Sequence, residues 1–488
     1  MDKKFDLQNT PYRMFIDGEW IEPASGSTFP VINPNNNEKI AEIYQAGNEE
    51  VEKAVKSARR AFENGPWKKM TGKDRGLLLE KTADLLEKRL EELAYIEALD
   101  TGKVLAQAIF FDVPQGIDGL RYFAGKARDI KGEVVELGVP GFWNYRLWQP
   151  VGVVLEILPW NGPLMMGLQK VANILAAGNT VIIKPPTDAS LSLIECCKAF
   201  EEAGFPPGVV NLVTGPGGTV GEALAKHPGV DMVSITGSTS TGARIMEIAS
   251  PTIKKLALEL GGKNPNIVFE DADLEEAVEW AKMAAFNNQG EICVSGSRLL
   301  LSQKIHDEFL SLLEEKVRAL KIGFSTEMES EIGPLISKGQ MEKVIGYIEN
   351  GKKEGARLVC GGEQPTEEKL KRGNFVLPTI FDEVLPEMKI AREEIFGPVL
   401  SVITFRDEQE AIEIANSVDY GLAGAVFTRD IGRAHRVVKE LRAGQIYINT
   451  YYSKGLVESP GVGWKKSGAG SFGITKYMVP KTVFVSEK

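Results

Sequence analysis

Between residues 151 and 236 the chain repeats one pattern: a short apolar run, a helix-length segment, then another short apolar run. The runs VGVVLEIL (151–158), TVIIK (180–184), VVNLVT (209–214) and MVSIT (232–236) start at 151, 180, 209 and 232, spaced by 29, 29 and 23 residues. That is the period of successive βαβ units, because a parallel strand can be reached again only through a crossover that is usually a helix. A parallel, doubly wound sheet with helices on both faces is the expected fold of this region.

A second series follows Gly262: PNIVF (265–269), a helix from Asp273, SRLLLS (297–302), VLSVITF (399–405), LAGAVFT (422–428) and QIYIN (445–449). It predicts a second α/β domain of similar size. At 488 residues the chain exceeds what one core usually supports, which agrees with two or three domains. Ahead of both series, NEEVEKAVKSARRAF from Asn48 carries Val51, Ala54, Val55, Ala58, Ala61 and Phe62 at helical spacing and reads as an amphipathic helix. The runs FWNYRLWQ (142–149) and KTVFVS (481–486) belong to neither series and are expected to be strands that pair with a partner.

Composition narrows the function. A net charge of -10 gives no global attraction to nucleic acid or to anionic membrane, so small-molecule chemistry is the expectation. The N-terminal stretch has no apolar signal core, and no later stretch is long and apolar enough to span a bilayer. The four cysteines (Cys196, Cys197, Cys293, Cys360) show no CxxC spacing, and there are only three histidines (His227, His306, His435). Neither a disulfide framework nor a metal site is expected, and reduced thiols suit a cytoplasmic location.

Three segments carry chemistry. Residues 237–242, GSTSTG, end the run MVSIT and open a helix, where free N–H groups can receive a pyrophosphate; the spacing GxxxxG suits a plain tight turn equally well. Cys293 lies in the glycine-punctuated loop NNQGEICVSGS between a helix pattern and a strand pattern. Cys196 and Cys197 fall inside the helical segment LSLIECCKAF. A free cysteine is commonly a small core hydrophobe, but a loop held between rigid elements is where a nucleophile is found. Glu259, in LELGGKNPN, follows an apolar stretch and precedes two glycines, so it can stand at the end of an element and enter a cleft. An isolated glutamate is usually just solvated. With so few histidines, however, a carboxylate is the readier general base.

Together with FIDGEW (15–20), PVGVVLEILPWNGP (150–163), KPPTDAS (184–190), EEIFGPV (393–399) and KKSGAG (465–470), these segments resemble the aldehyde dehydrogenase superfamily over nearly the whole chain. The family's separation of glutamate and cysteine, 34 residues, recurs between Glu259 and Cys293. The resemblance implies a Rossmann-like cofactor domain (1–125 and 148–258), a second α/β catalytic domain (259–445) and small β oligomerisation segments (126–147 and 470–488). It implies NAD(P)-dependent oxidation of an aldehyde to the acid by a homodimer or homotetramer. Cys293 then matches the nucleophile, Glu259 the base, Asn161 the oxyanion-hole amide and Lys170 a lysine linked to proton relay. For the cofactor, Lys184 and Thr187 match the adenosine ribose, Gly217 the adenine, and Gly237, Ser238 and Gly242 the pyrophosphate turn. Trp160, Leu260 and Gln340 match the cofactor channel, and Glu394 with Phe396 the nicotinamide riboside.

Some positions depart from the family pattern. Thr187 replaces a glutamate found in many NAD-preferring members, so NADP is an expected cofactor alongside NAD. Gly162 and Gly461 replace aromatic residues of the substrate tunnel, which predicts either added volume or a neighbour such as Trp464, Tyr451 or Tyr452 in the gap. The pattern GxGRExG is replaced by GAGSFG (468–473). The KPPT segment and the chain end resemble the non-phosphorylating glyceraldehyde-3-phosphate dehydrogenase branch. That branch has a cation just before its cysteine, whereas Glu291 here is expected to repel phosphate. The alternatives are a CoA-acylating member, a cysteine hydrolase and a catalytically silent binding protein. Glu259, the nucleotide segments and the full Asn161, Glu259 and Cys293 set weigh against them in turn.

Overall fold

The structure is a computed structural model that describes residues 7–452 and 457–487. The first six residues of the segment 1–125, and Lys488 of the segment 470–488, lie outside the described residues.

An eight-stranded sheet contains the first series in the order Glu19–Ile21, Met14–Ile16, Val210–Leu212, Thr180–Lys184, Val153–Ile157, Met232–Thr236, Lys255–Glu259, Gly468–Ala469. The five long-range crossover strands, from Val210–Leu212 to Lys255–Glu259, are parallel, and the three added at the edges are antiparallel. Chain order runs outward from Val153–Ile157 to one side, then returns to Met232–Thr236 on the other. The carboxyl ends of those two strands therefore flank a switch point, the crevice where ligands bind in such sheets. The helix Asn48–Asn64 covers this sheet, with Val51, Ala54, Val55, Ala58 and Ala61 buried and Glu50 accepting the Gly47 N–H at its start at 2.7 Å.

The second series forms a seven-stranded sheet in the order Arg357–Cys360, Thr379–Asp382, Val399–Phe405, Arg298–Ser302, Pro265–Val268, Ala423–Phe427, Gln445–Ile448. All neighbours are parallel except Arg357–Cys360 with Thr379–Asp382. The two end runs pair with each other: Phe142–Pro150 lies antiparallel to Met478–Ser486, and Glu133–Val135 completes a three-stranded sheet. Among the described residues no helix is long and apolar enough to cross a membrane.

The link between the large sheets positions the site. Lys255–Glu259, the last parallel strand of the first, runs through Leu260–Asn264 directly into Pro265–Val268 of the second. The carboxyl ends of the first sheet thus face the loops that precede the strands of the second.

Candidate active site

Cys293 reaches the seam through a bent loop. The helix Leu274–Phe286 stops, and Asn288, Gln289 and Gly290 all take left-handed backbone angles, with φ of 49°, 44° and 72°. Such angles are unfavourable for residues with a side chain and persist only when surroundings hold them. The hold is visible. Asn288 Nδ2 donates to the carbonyls of Asn161 and Glu291 at 3.3 and 3.2 Å. Asn264 Nδ2 donates to the carbonyls of Cys293 and Ser295 at 2.9 and 2.8 Å, while its Oδ1 accepts the Ala423 N–H at 2.9 Å. Tyr451 Oη donates to the Val294 carbonyl at 2.8 Å.

The result is a half-buried Cys293, in contrast to the fully buried Cys196, Cys197 and Cys360. Burial, then the nearby carboxylates Glu394 and Glu259, push its thiol up to about 12, against weaker help from the N–H groups of Val294 and Cys293. The resting group is a thiol, and it needs a base to become a nucleophile.

Asn161 follows the strand Val153–Ile157. One of its amide N–H groups donates to the Glu291 carbonyl at 2.9 Å, which ties the two loops together across the cleft. Lys170, on the helix Pro163–Ala176, donates to Thr236 Oγ1 at 2.5 Å and to Glu156 Oε1 at 3.1 Å. Glu259 closes its strand with its side chain 3.5 Å from Lys476 Nζ. Asn161, Lys170, Glu259 and Cys293 all line one cavity of about 1040 Å³. The structure brings together the four residues that the sequence marks as catalytic candidates.

Of the cofactor candidates, Leu260 lines the same cavity, Lys184 ends a strand of the first sheet, and Gly237 and Ser238 directly follow another. Glycines at 261 and 262 permit the close approach here: a Cβ on Gly261 would sit 2.2 Å from Glu394 Oε2, and one on Gly262 would sit 2.6 Å from the Cys293 carbonyl oxygen. Glu394 is half-buried, its carboxyl pushed up by desolvation, and accepts the Gly262 N–H at 2.9 Å. Phe396, with φ of 59°, meets Trp160 edge to face at 5.1 Å between centroids. Gln340 Nε2 holds the Phe396 carbonyl at 2.6 Å. Ser238 caps the helix Thr239–Ala249 after Gly237, its hydroxyl accepting the Thr241 N–H at 3.1 Å. Gly242 of that helix packs where a Cβ would strike Leu260 at 2.6 Å. Gly217 opens onto free space, and Thr187 Oγ1 donates to the Gly215 carbonyl at 3.4 Å. Lys184, at a strand's carboxyl end, is buried, and desolvation brings its ammonium down to about 8 against the pull of Asp188. A helix N-terminus, glycines without clashing side chains and a buried cation at the switch point fit a dinucleotide.

Two expectations need correction. Glu291 does not project charge into the tunnel. Its side chain is buried behind the loop, with Oε1 accepting the Ile336 N–H at 3.2 Å and Oε2 the Gln289 amide at 3.3 Å, and burial pushes its carboxyl well up. It therefore gives no ground for rejecting an anionic substrate. The two tunnel glycines also differ. At Gly162 a Cβ would meet only Met166 and Met165 at 3.7 to 3.9 Å, which is ordinary contact. At Gly461 it would meet Gln445 Cβ at 2.9 Å, so Gln445 takes that space. Of the suggested gap fillers Tyr452 lines the cavity, Tyr451 is fully buried and Trp464 is half exposed.

Sequence reasoning missed Asn264 and Lys476. Asn264 sits inside the quoted LELGGKNP segment, but its bonds run to partners far along the chain. Lys476 follows the altered GAGSFG stretch, whose departure from pattern was the available signal.

The aldehyde dehydrogenase family model matches residues 20–483. The chain is 44% identical over 479 residues to a betaine aldehyde dehydrogenase of Bacillus subtilis, covering 97% of each chain. It is 42% identical over 478 residues to an aldehyde dehydrogenase of Emericella nidulans, covering 97% of this chain and 95% of that one. Among solved structures, the NAD+ complex of an aldehyde dehydrogenase from Bacillus cereus superposes with a TM-score of 0.95 at 43% identity, covering 98% of this chain and 97% of that one.

Proposed function

The chain belongs to the aldehyde dehydrogenase family, and from that premise we propose that it oxidises an aldehyde to its carboxylic acid with NAD(P), through a thioester on Cys293. The observation that carries this reading is the single cavity lined by Cys293, Asn161, Glu259 and Lys170.

The Cys293 thiol loses its proton to solvent through the cavity, and the thiolate attacks the aldehyde carbon. The second Asn161 N–H, with the Cys293 backbone N–H, holds the oxyanion while the amide's first N–H stays on Glu291. When bound, the nicotinamide supplies the hydride acceptor. Glu394 and Phe396 place its riboside, and Lys184, Thr187, Gly217, Gly237 and Ser238 take the adenosine and pyrophosphate. Glu259 then removes a proton from water, the hydroxide adds to the thioester carbon, the C–S bond breaks and the sulfur is reprotonated. The NAD+ complex of the Bacillus cereus relative supports NAD as cofactor. Neutral Thr187 and nearby Lys184 extend the proposal to NADP. The first large sheet is the cofactor-binding part (1–125 and 148–258) and the second the catalytic part (259–445), with 126–147 and 470–488 serving assembly.

The tunnel suits an aldehyde larger than acetaldehyde, because Gly162 leaves room beside Met165 and Met166. Initial rates of NAD(P)H absorbance over acetaldehyde, hexanal and benzaldehyde, with each cofactor, test the proposal. Hexanal should exceed acetaldehyde in kcat/KM, at up to about 0.8 kcal/mol per buried CH₂. Gly162→Phe should reverse that order, and Cys293→Ala should abolish turnover. No aldehyde-dependent reduction, or substantial turnover in Cys293→Ala, overturns it.

A further inference from the structure

After the seven-stranded sheet the chain returns to the end of the strand that carries Glu259. Gly468 pairs opposite Glu259, and the Leu260 N–H donates to the Ser467 carbonyl at 2.8 Å. The short helix Ile474–Tyr477 then sets Lys476 against that strand end. Its Nζ lies 3.5 Å from Glu259 Oε1, with the lysine side chain 12% and the glutamate 20% exposed, and both line the cavity with Cys293. Two other lysines line the cavity, and both are committed elsewhere: Lys282 pairs with Glu279 at 2.7 Å. Lys170 is bonded to Thr236 and to Glu156, whose second oxygen lies 3.5 Å from Tyr477 Oη. Each lysine therefore has its own carboxylate.

We propose that Lys476 is the positioning residue of the water-activating base: its ammonium group fixes the Glu259 carboxylate at the strand end, in place for thioester hydrolysis. This rests on the reading of Glu259 as that base. The charged and titratable groups around the pair are Glu156 and Lys170 from the strand and helix beneath, Tyr477 beside it with its ring 5.9 Å from Nζ, and Cys293 across the cavity. Burial and Lys170 lower the proton affinity of Lys476, while Glu259 and Glu156 raise it. In the step itself, a water O–H bond breaks and its proton goes to Glu259. The C–O bond forms, the C–S bond breaks, and the departing sulfur takes that proton back. Lys476 neither gives nor takes a proton in this step; it holds the carboxylate that does.

The test uses the full-length enzyme, Lys476→Met and Lys476→Arg, followed by stopped-flow NAD(P)H formation over a range of aldehyde concentrations. Lys476→Met should keep the initial burst and slow the steady rate about tenfold. Lys476→Arg should restore the steady rate. In a Glu259→Gln background Lys476→Met should add nothing. An unchanged steady rate, a burst slowed as much as the steady rate, or the full cost persisting in that background overturns the role. Should Lys476→Met fail to fold, Lys476→Gln gives the same comparison. Loss of the Glu259→Gln effect itself would instead overturn the reading of Glu259, so the two failures are distinct.

Discussion

A thiol held near 12 is almost wholly protonated at neutral pH, so it must shed a proton before attack, and the proposed mechanism keeps the Glu259 carboxylate for the water of hydrolysis. Glu259→Gln should therefore give a burst of NAD(P)H followed by a slow steady rate, because the amide can no longer take the proton from water. Equal loss in both phases would assign it another role. Lys184 sets a second pH dependence. Its ammonium is lowered from 10.5 to about 8, so it is charged below that pH and neutral above it while the unfolded chain stays protonated to about 10.5. NADP affinity should fall as pH rises through about 8, more steeply than NAD affinity, since only NADP brings a 2′-phosphate to pair with that charge. By linkage, Lys184 adds stability as pH rises between those values, because the unfolded state holds more protons there. Thr187→Glu should move preference toward NAD, and binding titrations of both cofactors at pH values on either side of 8 check it; parallel curves would dissociate Lys184 from the phosphate. Cys293 was legible as a candidate because of its glycine-rich loop, and the structure sets it on the wall of the cavity. Glu291 was misread because position in sequence does not tell which face of a loop a side chain takes.

At the scale of elements, runs such as Thr180–Lys184 and Met232–Thr236 could be read to the residue, because strands buried on both faces are uninterrupted apolar stretches. Glu19–Ile21 and Gly468–Ala469 could not. Edge strands of two or three residues are defined by the partner they meet, not by any pattern of their own. The Asn288–Gly290 bend was equally hidden, since two of its three left-handed residues are not glycine. Its stability depends on Asn264, which joins the Cys293 loop to Ala423 of the second sheet. Asn264→Ala leaves two buried carbonyls and an N–H without that partner. It should cost about 1–3 kcal/mol, lower Tm and reduce kcat while sparing cofactor affinity. A variant that melts like the original but loses kcat would mean the loop is held by other bonds.

On the scale of the whole molecule, the three-stranded sheet of Glu133–Val135, Phe142–Pro150 and Met478–Ser486 presents Val134 and Phe484 at 74% and 69% exposure, with Phe142 and Trp143 nearby. Large apolar side chains so exposed make this sheet the expected association surface. Light scattering should find a homodimer or homotetramer, and Phe484→Glu with Val134→Glu should shift it to smaller species; a monomer in the unaltered protein would end that expectation. The pairing of the two end strands was foreseeable from their alternation, but which strand met which was not, because the register is set by segments more than 300 residues apart. The direct connection Leu260–Asn264 acts as a ruler between the two sheets. Glu259 stands at one end of it, Asn264 and through it Cys293 at the other, so the spacing between base and nucleophile is written into five backbone residues. Loops elsewhere on the surface can lengthen or shorten through natural drift without touching the chemistry. A single residue inserted or deleted here would move the two reacting groups out of step, even in a protein whose sheets were both intact.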